Sequence, residues 1–378
     1  MDFSIFTILL QDGITNGAIY ALVALALVLV FAVNRIIFLP QGEFVAFGAL
    51  TLVSLQAGTI PGTVWLLAVM AILTTLLDLS AALRLGRKRL IARLLLIKLI
   101  SPLLLVALVC WAAPRQWPLL VQALLSIMTV TAMGPMIYRL AYQRLANAKV
   151  LVLLIVSVGV HFVMTGLGLL FFGPEGARVA PYVESSLTLG TLELSGQDMV
   201  VLAVSLLLML VLAWFFNHTL YGKALQATAK NRVGARLMGI STTMAGKLSL
   251  CFAAFIGALS GILIVPTTAI YYDSGFLIGL KGFVGAILGG LMSYPLAAIG
   301  AVDAVLGLGL LTLDRAALRL RPKAAMIDEA AIAKVLEDRR AARADKDFAR
   351  SDALRDALSA AGVDVMDGDP LGWDWQPQ

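Results

Sequence analysis

The sequence predicts an all-α fold: a polytopic transmembrane helical bundle of about eight to ten spans, followed by a small cytoplasmic helical tail. Of 378 residues, 60% are hydrophobic and 14% charged, whereas soluble chains are about half apolar and about a quarter charged. Apolar runs of bilayer-crossing length, about 20 residues, recur along most of the chain. Charge is uneven: residues 1–302 hold 18 Lys/Arg against 9 Asp/Glu, and residues 303–378 hold 11 against 14. Backbone polar groups in lipid must be satisfied within their own segment, so the apolar runs are read as helices. The two parts are therefore a membrane domain, 1–302, and a soluble helical tail, 303–378.

The first run, from DGITNGAIY to VFAVNR, lacks a basic leader and is long enough to span, so it reads as a retained helix near 14–33 and not as a cleaved signal. Runs bounded by charge, Pro or Gly place further spans near 43–57, 62–79, 94–113, 118–138, 150–172, 199–217, 248–270 and 276–294. The second is short and opens with Gln41-Gly42-Glu43, the mark of a broken or re-entrant element, which protein or water must cover. Gly282, Gly285, Gly289 and Gly290 ahead of Pro295 predict a bent or interrupted last helix. In the tail, Leu, Ile, Val and Phe recur at helical spacing among mixed charges. That spacing predicts two amphipathic helices joined near Ala344 to Asp347.

Orientation follows from Lys and Arg in short loops. One set of alternate loops carries Arg35, then a cluster from Arg84 to Arg93, then Arg139, Arg144 and Lys149, then Lys223, Lys230, Arg232, Arg236 and Lys247. The opposite set carries little beyond Arg115, Arg178 and Lys281. The first set is assigned to the cytoplasm, which puts the N-terminus outside and the tail inside. Residues 218–247 then form a cytoplasmic loop of about thirty residues with five basic side chains and no acidic one. Long loops in compact proteins tend to be functional.

The chemistry that the residues permit is narrow. No G-x-x-x-x-G-K-[ST] loop occurs, so any ATP coupling must come from a partner. Two cysteines, Cys110 and Cys251, and two histidines, His161 and His218, offer neither a disulfide framework nor a zinc cage. No catalytic residue, metal or cofactor is expected. His161 has no acid nearby in sequence and reads as a packed polar side chain in a helix interface. Asp12, Glu43, Asp78 and Asp273 lie in or beside apolar runs, where charge is expensive and therefore a functional candidate. Three of these fit span ends. Glu43 lies between apolar flanks, and pairing with Arg35 stands beside a functional role for it. A substrate route is placed beside the broken elements, at Asn16, Gln41, Gly42, Glu43, Gly282, Gly285, Gly289 and Gly290, where half-helix ends would face the head of a zwitterion.

Four stretches carry a resemblance: LQDGITNGAIYALVALALVLVFAVNRIIFLPQGEFVAFGA, MGPMIYRLAYQRLANAKVLVLLIVSVGVHF, YGKALQATAKNRVGARLMGIST and LKGFVGAILGGLMSYPLAAIGAV. In family order over residues 1 to about 302, they resemble the inner-membrane permease subunits of branched-chain amino acid ABC importers. The resemblance implies a second permease subunit, cytoplasmic ATP-binding subunits and a periplasmic substrate-binding protein as partners, in a bacterial inner membrane. It also implies that 218–247, with Lys223, Ala227, Arg232, Arg236 and Gly239, docks on the ATPase. The tail, VLEDRRAARADKDFARSDALRDALSAAGVDVMDGDPLGWDW, is similar instead to the C-terminal end of cysteinyl-tRNA synthetases. The nucleotide-binding domain and zinc cysteines of such an enzyme are absent from this sequence, so tRNA charging is not expected. Neither is nucleic-acid binding, because phosphate contact needs clustered positive charge. An RNA-related tail and an ion channel are the competing readings, and no repeated pore signature supports the channel.

Overall fold

A computed structural model describes residues 3–84, 95–183, 185–189, 192–288, 297, 298, 300, 301, 329–345, 347–361, 363–365 and 373–375. Two compact units divide the chain, Met1–Leu308 and Gly309–Gln378. The first holds α1 (Phe3–Asn34), α2 (Gln41–Gln56), α3 (Gly62–Arg84), α4 (Ser101–Ala112), α5 (Leu119–Ile137), α6 (Val150–Phe172), α7 (Gly196–His218), α8 (Leu220–Lys230), α9 (Arg232–Leu237), α10 (Thr242–Ile264) and α11 (Ser274–Leu288). A wider π-type turn, Leu96–Ile100, leads into α4, and another, Tyr138–Tyr142, continues α5 beyond Pro135.

The protein is a multi-pass membrane protein. Among the described residues, seven helical stretches are long and apolar enough to cross a bilayer: Gly13–Asn34, Gly62–Arg84, Lys98–Arg115, Leu119–Leu145, Val150–Phe172, Gly196–His218 and Thr242–Ile264. The expected span at 43–57 is α2, whose 16 residues reach about 24 Å, short of a hydrocarbon core of about 30 Å. The expected span at 248–270 is displaced. Ser241 caps α10 by accepting from the Met244 N–H at 3.3 Å, so residues 242–247, read as loop, are the first turns of that helix. The expected span at 276–294 is seen as α11 up to Leu288.

Helix packing separates an inner group from an outer collar. The most apolar window of α1 is 89% buried and that of α10 is 67% buried, against 22% for the windows of α4 and α6. At the centre, α2 is enclosed by α1, α5, α10 and α11. Its Phe44, Val45, Ala46 and Phe47 are fully buried. In lipid no hydrophobic force sorts one apolar helix from another, so small residues and buried polar contacts select the neighbours. Ser126 donates to the Gly48 carbonyl at 2.7 Å, joining α5 to α2, and Asn34 donates to Ser249 at 2.5 Å, joining α1 to α10.

The segment between α6 and α7 covers the C-terminal end of α10. It contains an antiparallel hairpin, β1 (Ser186–Leu189) with β2 (Leu192–Ser195). Ahead of the hairpin, Tyr182 donates its hydroxyl to the Ile262 carbonyl at 2.7 Å and Arg178 donates to Pro266 at 3.0 Å; after it, Gln197 donates to Leu263 at 3.3 Å. These contacts satisfy carbonyls that a helix end leaves without partners. Burial pushes the Tyr182 phenol up, which keeps it a donor.

The second unit has its own core. Its helices α12 (Glu329–Ala344) and α13 (Phe348–Ala360) meet at the expected joint, where Asp347 accepts from the Arg350 N–H at 3.1 Å and caps α13. Beside the two expected helices the unit holds an antiparallel hairpin that the sequence reading did not include, β3 (Val363–Val365) with β4 (Trp373–Trp375). Its alternation aims Val363, Val365 and Trp373 at Ile332 and Leu358. The hairpin thereby covers the apolar stripe that two helices alone would leave open.

Candidate functional site

The first turns of α2 and α11 meet inside the bundle. Gln41 opens α2 and donates through Nε2 to the Ala253 carbonyl at 2.9 Å, halfway along α10. So α2 begins midway along its neighbour and not at its end. One residue on, the backbone of Gly42 lies against that of Gly275 in the first turn of α11, and a Cβ on Gly42 would overlap the Gly275 carbonyl. Only glycine permits two helix starts to approach so closely. Each start carries the partial positive charge of a helix N-terminus, with the Gln41, Glu43, Ser274 and Phe276 N–H groups donating to carbonyls of the preceding turn, and an acid accompanies each: Glu43 in the first turn of α2 and Asp273 just before α11.

Glu43 is completely buried, and its partner comes from a third helix. His161 of α6 places Nδ1 3.0 Å from Glu43 Oε1. The His161 ring lies 5.1 Å from the Phe276 ring of α11, centre to centre. Thr165, one turn along α6, donates to the His161 carbonyl at 3.0 Å. The site therefore draws one side chain from each of α2, α6 and α11. The two atoms face each other at 3.0 Å without the geometry of a hydrogen bond, so Glu43 and His161 are close polar neighbours in an otherwise apolar interior.

One sequence expectation changes here. Glu43 does not pair with Arg35, which is exposed and whose guanidinium lies 5.9 Å from the Phe31 ring; the partner is the histidine read as mere packing. The chain carries part of the expected bend, at 289–296 up to and including Pro295, outside the described residues. It is α-helical through Gly282 and Gly285, and these two serve close contact: Gly282 against Val23 of α1, and Gly285 against Ala301. Among the described residues, an interruption lies between the end of α10 and Ser274. Pro266 and the capping contacts of the preceding segment end α10 there. Gly289 and Gly290 lie outside the described residues. Asn16 is half-buried on α1. Of the other acids, Asp78 is paired with Lys98 and, at 2.5 Å, with Arg139; the Asp12 side chain lies outside the described residues.

The basic loop folds as two short helices. Thr219 caps α8, accepting from the Gly222 N–H at 3.0 Å, and Asn231 caps α9, accepting from the Gly234 N–H at 2.9 Å. After α9, the Gly239 N–H reaches the Arg236 carbonyl at 3.0 Å and the Ile240 N–H reaches Ala235 at 2.9 Å, with Gly239 at φ +81°. That paired closure needs a left-handed residue, for which glycine is best suited. Arg232 donates to the Ala146 carbonyl at 2.9 Å, and Arg236 to Thr242 at 3.0 Å, so both arginines anchor α9. Lys223 is exposed and Ala227 half-buried on α8. The sequence reading missed an apolar surface here: Leu220, Leu237 and Met238 are each more than four-fifths exposed.

Comparison with known proteins agrees with this architecture. A 27% identical stretch of 210 residues aligns with the high-affinity branched-chain amino acid transport system permease protein LivH of Salmonella typhimurium, covering 54% of this chain and 68% of that protein. The corresponding protein BraD of Pseudomonas aeruginosa is 26% identical over 47% of this chain and 60% of its own length. The tail differs in kind. Over 81 residues, 21% of this chain, it is 70% identical to a cysteine--tRNA ligase of Novosphingobium aromaticivorans, and the chain spans only 16% of that ligase. Residues 329–370 match the cysteinyl-tRNA ligase anticodon binding domain. No solved structure matches. The membrane helices, the buried pair and the loop helices all fall within residues 9–310, which match the family described as the permease component of the branched-chain amino acid transport system, and to that family the chain belongs.

Proposed function

We propose that this chain is the permease subunit of an ABC importer for branched-chain, aliphatic amino acids. It works beside a second permease subunit, with cytoplasmic ATP-binding subunits and a periplasmic substrate-binding protein, in a bacterial inner membrane. The distribution of Lys and Arg supports a periplasmic N-terminus and a cytoplasmic loop 218–247. One observation carries the reading: α8 and α9 present Leu220, Leu237 and Met238 beside Lys223, Lys230 and Arg236 on an amphipathic helix pair. Such a surface suits a groove on a soluble partner. The substrate route runs past the helix starts at Gln41 to Glu43 and Gly275, where the positive ends of the helix dipoles suit a carboxylate and nearby apolar side chains suit an aliphatic chain. Discrimination among aliphatic substrates is modest, because one methylene is worth only about 1–3 kcal/mol.

The test is uptake of radiolabelled leucine in vesicles carrying the whole importer. Leu237→Asp with Met238→Asp is expected to reduce uptake at least tenfold while insertion and binding-protein contact persist. Both side chains are exposed, so the fold loses little. Undiminished uptake with the ATPase still bound would place the coupling surface elsewhere.

The tail is proposed as a cytoplasmic appendage with no catalytic role. Removing residues 324–378 should leave insertion, ATPase binding and uptake within about twofold of the full chain. Failure of the shortened protein to assemble, or tight binding of cysteine tRNA by the full chain at physiological salt, would give the tail a role of its own.

A further inference from the structure

The geometry points to a second site, a pocket for the phosphodiester headgroup of an anionic lipid, walled by α3, α4, α5 and α10. Its cavity is about 150 Å³, and its charged lining is Asp78, Lys98, Arg139 and Lys247. Three cations thus face one carboxylate. Asp78 is already held on both oxygens, by Lys98 on one and by Arg139 on the other at 2.5 Å. Lys247 forms no ion pair among the described residues, although it lines the same cavity. Among the described residues the pocket therefore keeps an excess of two positive charges in a half-buried place, where attraction to a bound anion is screened less than in water.

Placement names the ligand. Asp78 lies near the end of α3, Lys98 in the turn before α4, Arg139 in the turn after α5, and Lys247 near the start of α10. All four therefore occupy the bundle end that carries the Lys- and Arg-rich loops. The surrounding helices expose large apolar side chains: Leu76 at 55%, Leu104 at 64% and Met128 at 51%. A ligand that fits both parts has a phosphate for the pocket and acyl chains for the outer wall. Basic pockets between spanning helices on this side of a membrane bind anionic headgroups. The inference is independent of which solute the permease carries.

The experiment uses the full chain purified in mild detergent, with lipid binding read by native mass spectrometry and by thermal unfolding. Phosphatidylglycerol is expected to bind in preference to phosphatidylcholine. Lys247→Gln, which leaves both contacts of Asp78 in place, should weaken phosphatidylglycerol binding about fivefold, the effect of one lysine near an anionic surface. Lys247→Arg should retain it, and so should Lys149→Gln, an exposed charge outside the pocket. Equal binding of the two lipids, or an unchanged preference in Lys247→Gln, would overturn the site. A loss in Lys149→Gln as large as in Lys247→Gln would reduce the effect to general surface charge. If inorganic phosphate at the same concentration raises the unfolding temperature as far as the lipid does, the pocket takes free phosphate and the lipid assignment fails.

Discussion

A His161→Ala variant is expected to lose about 3 kcal/mol of stability and most of its transport, because it removes the polar group that faces the fully buried Glu43 side chain at 3.0 Å. Breaking a buried pair by removing one member costs about 3–5 kcal/mol, whereas removing both is much milder. The partner change, Glu43→Gln with His161→Ala, should therefore recover a large part of the stability. The double-mutant cycle, read by thermal unfolding in detergent, measures the coupling. Single and double losses that add to within about 0.5 kcal/mol would show that the two side chains are energetically independent. Transport separates a structural pair from a functional one. If the double variant is stable but still fails to import, the pair serves the route itself; if import returns with stability, the pair holds three helices together.

The second large effect is expected at Gly42. A valine there would drive its Cβ into the Gly275 carbonyl, and neither backbone can yield without parting α2 from α11. Overpacking of side chains costs about 1–3 kcal/mol; here the obstacle is main chain, so Gly42→Val should fall at or beyond that range and leave little folded protein. Gly159→Ala and Gly166→Ala are the contrasting controls. Both glycines lie on α6, and a Cβ at either position meets nothing within 4 Å. Each should be neutral or more stable by about 0.5–1 kcal/mol, since glycine is a poor helix former. Yield of monodisperse protein after extraction checks all three. A Gly42→Val protein as abundant as the controls would mean that the helix starts are not held in contact.

The membrane architecture was legible because hydropathy and charge act locally. A run of apolar residues needs no distant partner to become a helix, and the short reach of α2 was already signalled by its polar opening. The joint between α12 and α13 was legible for the same reason, from spacing alone. What escaped depended on pairing between distant segments. Glu43 and His161 are far apart in sequence, and nothing local ties them; the usable signal was that both are ionisable groups in apolar runs, which must find partners. Glycine serves two ends, breaking a helix or letting two helices touch, and only the neighbour decides. At Gly282 and Gly285 the neighbours are α1 and Ala301, and contact wins. The tail hairpin was missed because strands of three residues fall below what alternation can establish.

The position of α1 bears on the order of biogenesis. It is made long before α10 and is one of the most enclosed helices, yet its buried polar contact, from Asn34 to Ser249, waits for a residue made 215 positions later. Gln41 likewise waits for Ala253, 212 positions on. At roughly 5–20 residues per second, synthesis of the intervening chain takes on the order of 10–40 s. During that interval the nascent chain holds polar side chains in the membrane without their final partners. A ribosome stalled before α10 would leave an inserted fragment that cannot close its centre, a natural substrate for membrane quality control.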